Sequence, residues 1–519
     1  MNKRNFLKSV AALGGSALLP SSINPLIMYK TASAAVDYSS ATVVAPAIMP
    51  QVINIHLYGG PSELAGNLTN IVDINANSQN SYASAFGAGI LRNDTTGNGQ
   101  DNNGNSAFIT KNGFWRGAGG EDMQFMVDNG YMSVYRTLMK RLDGTRSHRE
   151  SLLQSFKGSL DIEGSAGVGT KIAATLYQHR GQYEGNTTLA DGTAINDIVN
   201  DLLLPFVSFE GDTRAYQQDP NFQIPILYRG ITLDQDFDNP YTRNNNPNDI
   251  ELEALATTMR TNTYNSRYSG AANSFDLRAF LENKIDAIDD ADSDANLPII
   301  TGVADAASVG ISAGQQLVYP NNQYTSRVRA AVTLTLVNPA TLYVTVGGGL
   351  GGWDDHNNGI DSYRNRMSAL MAVMNAAMLH IKYYNANTLN GTPRTTNNNI
   401  VINMSGDFGR RVNLNNNQGW DHGNNQNLYT FGGSQVRAGG AAALGKVVGT
   451  TQRVGTSGTN NQVTEPVQGS YEAEPMSVAS TVFSYFGVQN PEILTADDEL
   501  NPNGVPVIIE TTPGEADLF

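Results

Sequence analysis

Six histidines stand in the 519-residue chain, and two of them keep company with carboxylates. His356 ends the run Trp353-Asp354-Asp355-His356, and His422 lies in Gly419-Trp420-Asp421-His422-Gly423. Residues two apart in an extended chain face the same side. Asp354 and His356 can therefore address one ion while Asp355 turns away. Carboxylate and imidazole together suit Zn, Mn or Fe better than Ca or Mg, which prefer oxygen alone. Asp407 and Asp421 can complete such a set. A divalent ion held there would polarise a phosphoryl or similar oxygen and lower the pKa of water or a hydroxyl. Arg410 offers a guanidinium fork for a tetrahedral anion. Arg146-Ser147-His148 can bring a cation and an imidazole to the same rim, and Ser62, after Gly60-Pro61, stands where a strand-end nucleophile could stand. The plainer reading is that these groups cap glycine-rich turns and bind water. His56, His179 and His380 have no acidic neighbour in sequence and read as structural.

Three short apolar runs must position these groups. Val52 to Leu57 breaks at Gly59-Gly60-Pro61-Ser62. Leu342 to Val346 breaks at a glycine run leading to Trp353. Ile400 to Met404 breaks at Ser405-Gly406-Asp407-Phe408-Gly409-Arg410-Arg411. Near-continuous apolar strands suit a mostly parallel sheet covered on both faces, an α/β/α sandwich, whose ligands sit beyond the carboxyl ends of the strands. A helix joins the second and third runs. Tyr363, Met367, Leu370, Met374, Met378 and Ile381 recur at steps of three or four, with Asp361 placed to cap its start. Another helix is expected along Leu277, Leu281, Ile285 and Ile288, capped by Ser274. A further one opens at Pro475 and stops at Gly487.

The formal charge is −15, and the 56 Asn outnumber Lys and Arg together. Such a surface repels phosphate backbones, so no nucleic-acid partner is expected. The chain has no Cys, which excludes disulfides, thiol nucleophiles and zinc–thiolate sites. Residues 1–35 begin with Lys3, Arg4 and Lys8, continue with an apolar run and end in Ala32-Ser33-Ala34-Ala35, the order of an export signal. Asn2-Lys3-Arg4-Asn5-Phe6-Leu7-Lys8 resembles a twin-arginine signal. A periplasmic or secreted protein follows, with no membrane span after signal removal. Residues 36–519 read as one domain with insertions near 70–120 and 181–300. Gly347, Gly349 and Gly352 mimic a dinucleotide loop, but a Trp-Asp-Asp-His run follows in place of a helix start. Asp290, Asp292 and Asp294 mimic a calcium loop that lacks its Gly and Glu, leaving at most a looser calcium site.

Taken in order, the motifs resemble an exported bacterial family known as domain of unknown function 1501. They are His56-Leu57-Tyr58-Gly59-Gly60-Pro61-Ser62, Arg146-Ser147-His148, Gly351-Gly352-Trp353-Asp354-Asp355-His356, Gly406-Asp407-Phe408-Gly409-Arg410 and Gly419-Trp420-Asp421-His422-Gly423. The family looks like a branch of the alkaline-phosphatase and sulfatase-like superfamily. The resemblance implies a three-layer α/β/α fold with metal at the strand ends, and hydrolysis or transfer of a small-molecule or polymeric phosphate or sulfate ester. It implies Asp354, His356, Asp407, Asp421 and His422 as ligands of a divalent metal, Arg410 and His148 as holders of the anion, and Ser62 as nucleophile. The sequence departs from the family pattern at Ala65, where an Asp is usual, at Gly406 and Asp407, where Ser and Glu are usual, and at Arg411. These departures suggest the alternative of a catalytically degenerate secreted or surface binding protein on the same fold.

Overall fold

The computed structural model describes residues 36–62, 109–222, 231–233 and 283–495, apart from short breaks within them, and the isolated positions Ala254 and Thr258. The export signal, Ala65, Ser274, Leu277, Leu281 and most of the two expected insertions lie outside the described residues.

Ten strands organise the domain: β1 (Gln51–Leu57), β2 (Met132–Met139), β3 (Phe206–Phe209), β4 (Ile231–Leu233), β5 (Tyr343–Val346), β6 (Ile400–Gly406), β7 (Arg410–Leu414), β8 (Trp420–His422), β9 (Asn425–Gly432) and β10 (Val447–Val448). Eight of them form one sheet in the order β10-β2-β9-β6-β1-β5-β3-β4, while β7 and β8 pair only with each other. Within the sheet β9 alone runs against its neighbours β2 and β6; the other pairings are parallel. The class is α/β with a mixed, mostly parallel sheet.

The helices that cover the sheet are α1 (Gly120–Asp128), α2 (His148–Lys157), α3 (Val168–Gln178), α4 (Thr325–Val337), α5 (Gly359–Tyr383) and α6 (Val478–Tyr485). Alternation along the strands builds a separate core on each face. Ile53, Ile55 and Leu57 of β1 pack with α1, α4 and α5. Val52, with Tyr343 and Val401 from the flanking strands, packs with α2, α3 and α6. This double coverage is why the strands read as continuous apolar runs.

Register then sets the site. Ile55 pairs with Val346 on one side and Met404 on the other, and Leu57 pairs with Gly406. The carboxyl ends of all three strands therefore open on one edge. The helix between the second and third runs is α5, and its predicted apolar row is buried throughout. The two strands it joins are parallel in one sheet, with β1, which has a ladder on each edge, lying between β5 and β6. One expectation needs correction. Asp361 does not cap α5: the helix begins at Gly359, whose missing side chain leaves room for the Trp420 ring, and Asp361 pairs with Arg364 at 3.0 Å.

Residues 181–209, within the expected 181–300 insertion, pack against the sheet. Tyr183, Leu189, Ile195, Ile198 and Leu202 fill the second core, and Phe206 opens an interior strand. Residues 283–291 are helical, with Ile285 and Ile288 buried as the spacing predicts. The Asp-rich stretch after them is filled by an arginine: Arg329 meets Asp292 at 3.1 Å and Asp294 at 2.5 Å, so these acids are not a vacant calcium loop.

Candidate metal centre

Glycines let the loops beyond the strand ends stack at backbone distance. Gly59 has φ +109°, and a Cβ on it would stand 2.4 Å from the amide nitrogen of Asp354. The neighbouring Tyr58 carbonyl accepts the Trp353 N–H at 2.8 Å. A Cβ on Gly419 would stand 2.1 Å from the carbonyl carbon of His356, while Trp420 donates its N–H to Asp355 at 2.8 Å. The first strand end is thus stitched to the Trp-Asp-Asp-His run, and that run to the β7–β8 hairpin.

Three imidazoles meet around one carboxylate oxygen at this junction. Asp354 Oδ1 lies 3.0 Å from His356 Nε2, 3.5 Å from His422 Nε2 and 3.5 Å from His148 Nε2. His148, Asp354 and His422 each offer one ligand atom within 4.8 Å of the others, and His356 adjoins them with its Nε2 2.9 Å from that of His422. Four donors around a tetrahedral zinc at 2.0–2.1 Å would stand roughly 3.3–3.4 Å apart. The contacts of Asp354 and the His356–His422 pair, at 2.9–3.5 Å, lie on either side of that value, while His148, Asp354 and His422 as a group are held within 4.8 Å. Asp355, as the alternation predicts, turns away to meet Arg366 at 2.7 Å.

Behind each ring stands an acceptor. His148 donates from Nδ1 to Asp407 at 2.8 Å, and His422 donates from Nδ1 to the backbone carbonyl of Arg146 at 2.9 Å. His356 Nδ1 faces Asp421 at 3.4 Å. A ring whose Nδ1 keeps its proton for such an acceptor turns an Nε2 lone pair forward, the arrangement that orients metal-bound histidines. Burial, then the charges of Arg410 and His148, push the His422 pKa down to about 4, against a smaller opposing effect of the Arg146 carbonyl. At neutral pH its Nε2 is an acceptor, and it faces the Nε2 of His356 at hydrogen-bond distance. His356 in its Nε2–H tautomer donates to it there, and a cation between the two nitrogens would take the place of that proton. His148 Nε2 is buried and has no hydrogen-bond partner. These features fit a divalent ion at the centre.

The expected ligands Asp407 and Asp421 stand one layer back. Asp407 is buried, and its two oxygens accept from His56 Nε2 at 2.8 Å, His148 Nδ1 at 2.8 Å and the Gly59 N–H at 3.1 Å. Burial alone would raise its pKa, but the bonds from His148 and His56 outweigh that and hold it well below the carboxylate range. Asp421 takes Asn415 Nδ2 at 3.3 Å as well as facing His356. Arg410 does not present a fork outward. Its guanidinium is fully buried and donates to the carbonyls of Gly59, Gly60, Trp353 and Trp420 and, at 2.7 Å, to Asp354. That last bond helps hold the Asp354 carboxyl below its usual pKa against the effect of burial. Ser62 is buried, and its Oγ makes no hydrogen bond.

Sequence spacing missed His56, which meets its carboxylate across the sheet. Parallel register sets it beside Ser405, two residues before Asp407. His179 and His380 are structural as expected: His179 meets the Tyr38 carbonyl at 2.8 Å, and His380 is buried against Tyr319 with a pKa pushed down to about 3 by burial and by Arg329. No protein-family model, curated protein or solved structure matches the chain. The site must therefore be judged on its own geometry.

Proposed function

We propose that this chain is an exported metal-dependent hydrolase of phosphate or sulfate esters, on an alkaline-phosphatase-like variant of the α/β fold. The observation that carries the reading is the convergence of three acceptor-backed imidazoles on Asp354, with two Nε2 atoms facing each other at 2.9 Å. His148, Asp354, His356 and His422 would hold a divalent ion, with Zn, Mn or Fe favoured by the mixed nitrogen and oxygen set. Such an ion supplies Lewis-acid polarisation and acidifies water in the site. Asp407, Asp421 and the Arg146 carbonyl orient the rings, and Arg410 locks the loops beneath them. The twin-arginine-like start of the chain supports delivery to the periplasm or beyond, by a route suited to a protein that folds before export.

A catalytically degenerate binding protein is the second reading, and the engagement of every Arg410 nitrogen favours it. Metal analysis of purified protein with aryl phosphate and aryl sulfate assays separates the two. A stoichiometric transition metal and turnover abolished by His356→Ala or His422→Ala support the hydrolase. Intact fold with neither metal nor turnover refutes it.

A further inference from the structure

A buried carboxylate outside the imidazole cluster reaches the segment that carries two parts of it. Glu474 is 3 % exposed and stands at the N-terminal boundary of the helical turn Pro475–Ser477, where a carboxylate ordinarily serves the amides of its own helix. Its side chain makes no such bond. Oε1 instead accepts the backbone N–H groups of Arg141 and, at 2.8 Å, of Leu142, just beyond the end of β2. The preceding residue, Ala473, accepts from the Met139 N–H at 2.8 Å and donates to the Thr137 carbonyl at 3.1 Å. Main-chain bonds to β2 thus fix where the carboxylate stands.

From Leu142 the chain runs as a short strap to Arg146, whose carbonyl meets His422, and to His148, the first residue of α2. Lys140 Nζ ties the start of the strap to α2, donating to Ser151 Oγ at 2.7 Å and Gln154 Oε1 at 3.1 Å. Asn424 holds the strap through the Lys140 N–H at 3.1 Å and Arg146 Nε at 2.9 Å, and Glu474 holds the stretch between. We infer that Glu474 is a positioning residue: its carboxyl group fixes this strap, and with it the depth at which the Arg146 carbonyl and His148 enter the imidazole cluster. What the strap delivers rests on the proposed metal centre, while the hold on the strap rests on the two amide bonds. The charged groups facing Glu474 are Lys140 and the Arg141 guanidinium, which attract it, and Glu472, which repels it; the guanidinium itself pairs with Glu472 and, at 3.7 Å, with Glu465. Burial outweighs the attraction and the two amides and pushes the carboxyl up to about 7, and its Oε2 is buried with no hydrogen bond. An ionised Glu474 therefore gains by releasing the strap to reach water, and a neutral side chain does not.

Hydrogen exchange of residues 141–150 in the metal-free protein, and Zn competition against a chromophoric chelator on the same samples, test it. Glu474→Ala should speed exchange across this stretch and weaken Zn binding roughly tenfold, the lower end of what loss of an orienting partner costs. Glu474→Gln keeps an acceptor for both amides and should restore both readings. Glu472→Gln, which alters the Arg141 side-chain pair, should change neither. Exchange of the stretch in wild type relative to Glu474→Gln should rise about tenfold or more as pH goes from about 4.5 to about 7, because only the wild type carries a carboxyl that ionises. Equal Zn affinity in folded Glu474→Ala and wild type overturns the inference and leaves the metal centre standing. Exchange released by Glu474→Ala and restored by Glu474→Gln, in proteins none of which binds Zn, supports the hold on the strap and overturns the metal centre. Where Glu474→Ala does not fold, the pH comparison decides: a ratio that stays flat between those pH values overturns the inference, and a rising one supports it.

Discussion

Asp407 is the most informative residue to perturb, because its carboxylate holds the His148 ring on one side and the buried His56 on the other. In Asp407→Asn the amide oxygen can still accept from Gly59 and His148, but the amide N–H groups then face His56, whose Nε2 must give up its proton to accept one. The variant keeps the shape and loses the charge that makes His148 Nε2 a strong donor. Replacing an acceptor behind a metal-bound histidine typically costs 10- to 100-fold in metal affinity, about 1.4–2.8 kcal/mol. Asp407→Ala additionally strands the His56 and Gly59 donors in the interior, and loss of one partner from a buried ionic network costs about 3–5 kcal/mol of stability. Competition of each protein against a chromophoric Zn chelator reads the first effect, and denaturant unfolding of the metal-free forms reads the second. The expected order of Zn affinity is wild type, then Asp407→Asn, then Asp407→Ala. Equal affinity in wild type and Asp407→Asn would refute the assignment of Asp407 as the orienting group of a ligand.

Four further outcomes follow from the geometry. His356→Ala or His422→Ala should each cut Zn affinity by roughly two orders of magnitude or more, one quarter of the ~10–16 kcal/mol of a four-ligand site, read by the same competition. The metal-free protein should lose stability as pH falls from about 6.5 towards about 4, since the unfolded chain then binds a proton that folded His422 resists. Glu474 has the opposite sign. Burial raises it to about 7 against the Arg141 and Leu142 amides, so folding binds the extra proton and stability falls as pH rises from about 4.5 to about 7, a slope that Glu474→Gln should flatten in pH-dependent melts. Gly409→Ala should destabilise by about 3 kcal/mol or more or fail to fold, because its Cβ would lie 1.4 Å from the Asn425 carbonyl oxygen.

Much of the frame was legible in the residues. The three apolar runs, the Met-rich row of α5 and the strand-end knots could be read because burial on both faces leaves a direct trace in composition. Alternation even assigned Asp354 and Asp355 to opposite sides. What escaped was the depth of each polar group. Asp407 and Asp354 look alike in sequence, yet one lies under the imidazoles and the other among them, a distinction made by strand register and by loop stacking through Gly59 and Gly419. His56 was missed for the same reason, since its partner is 351 positions away. Arg410 looked like an open fork because nothing in its neighbours reveals that four backbone carbonyls surround it.

One acceptor behind the imidazoles differs in kind from the others. Asp407 and Asp421 can be altered by a single codon change, but the oxygen that steadies His422 belongs to the main chain at position 146 and survives almost any replacement there. Replacing the Arg146 side chain would break its bond to Asn424 Oδ1, yet the ring beneath it would keep its aim. A ring aimed by the main chain keeps its orientation through substitutions that would disturb one aimed by a carboxylate side chain.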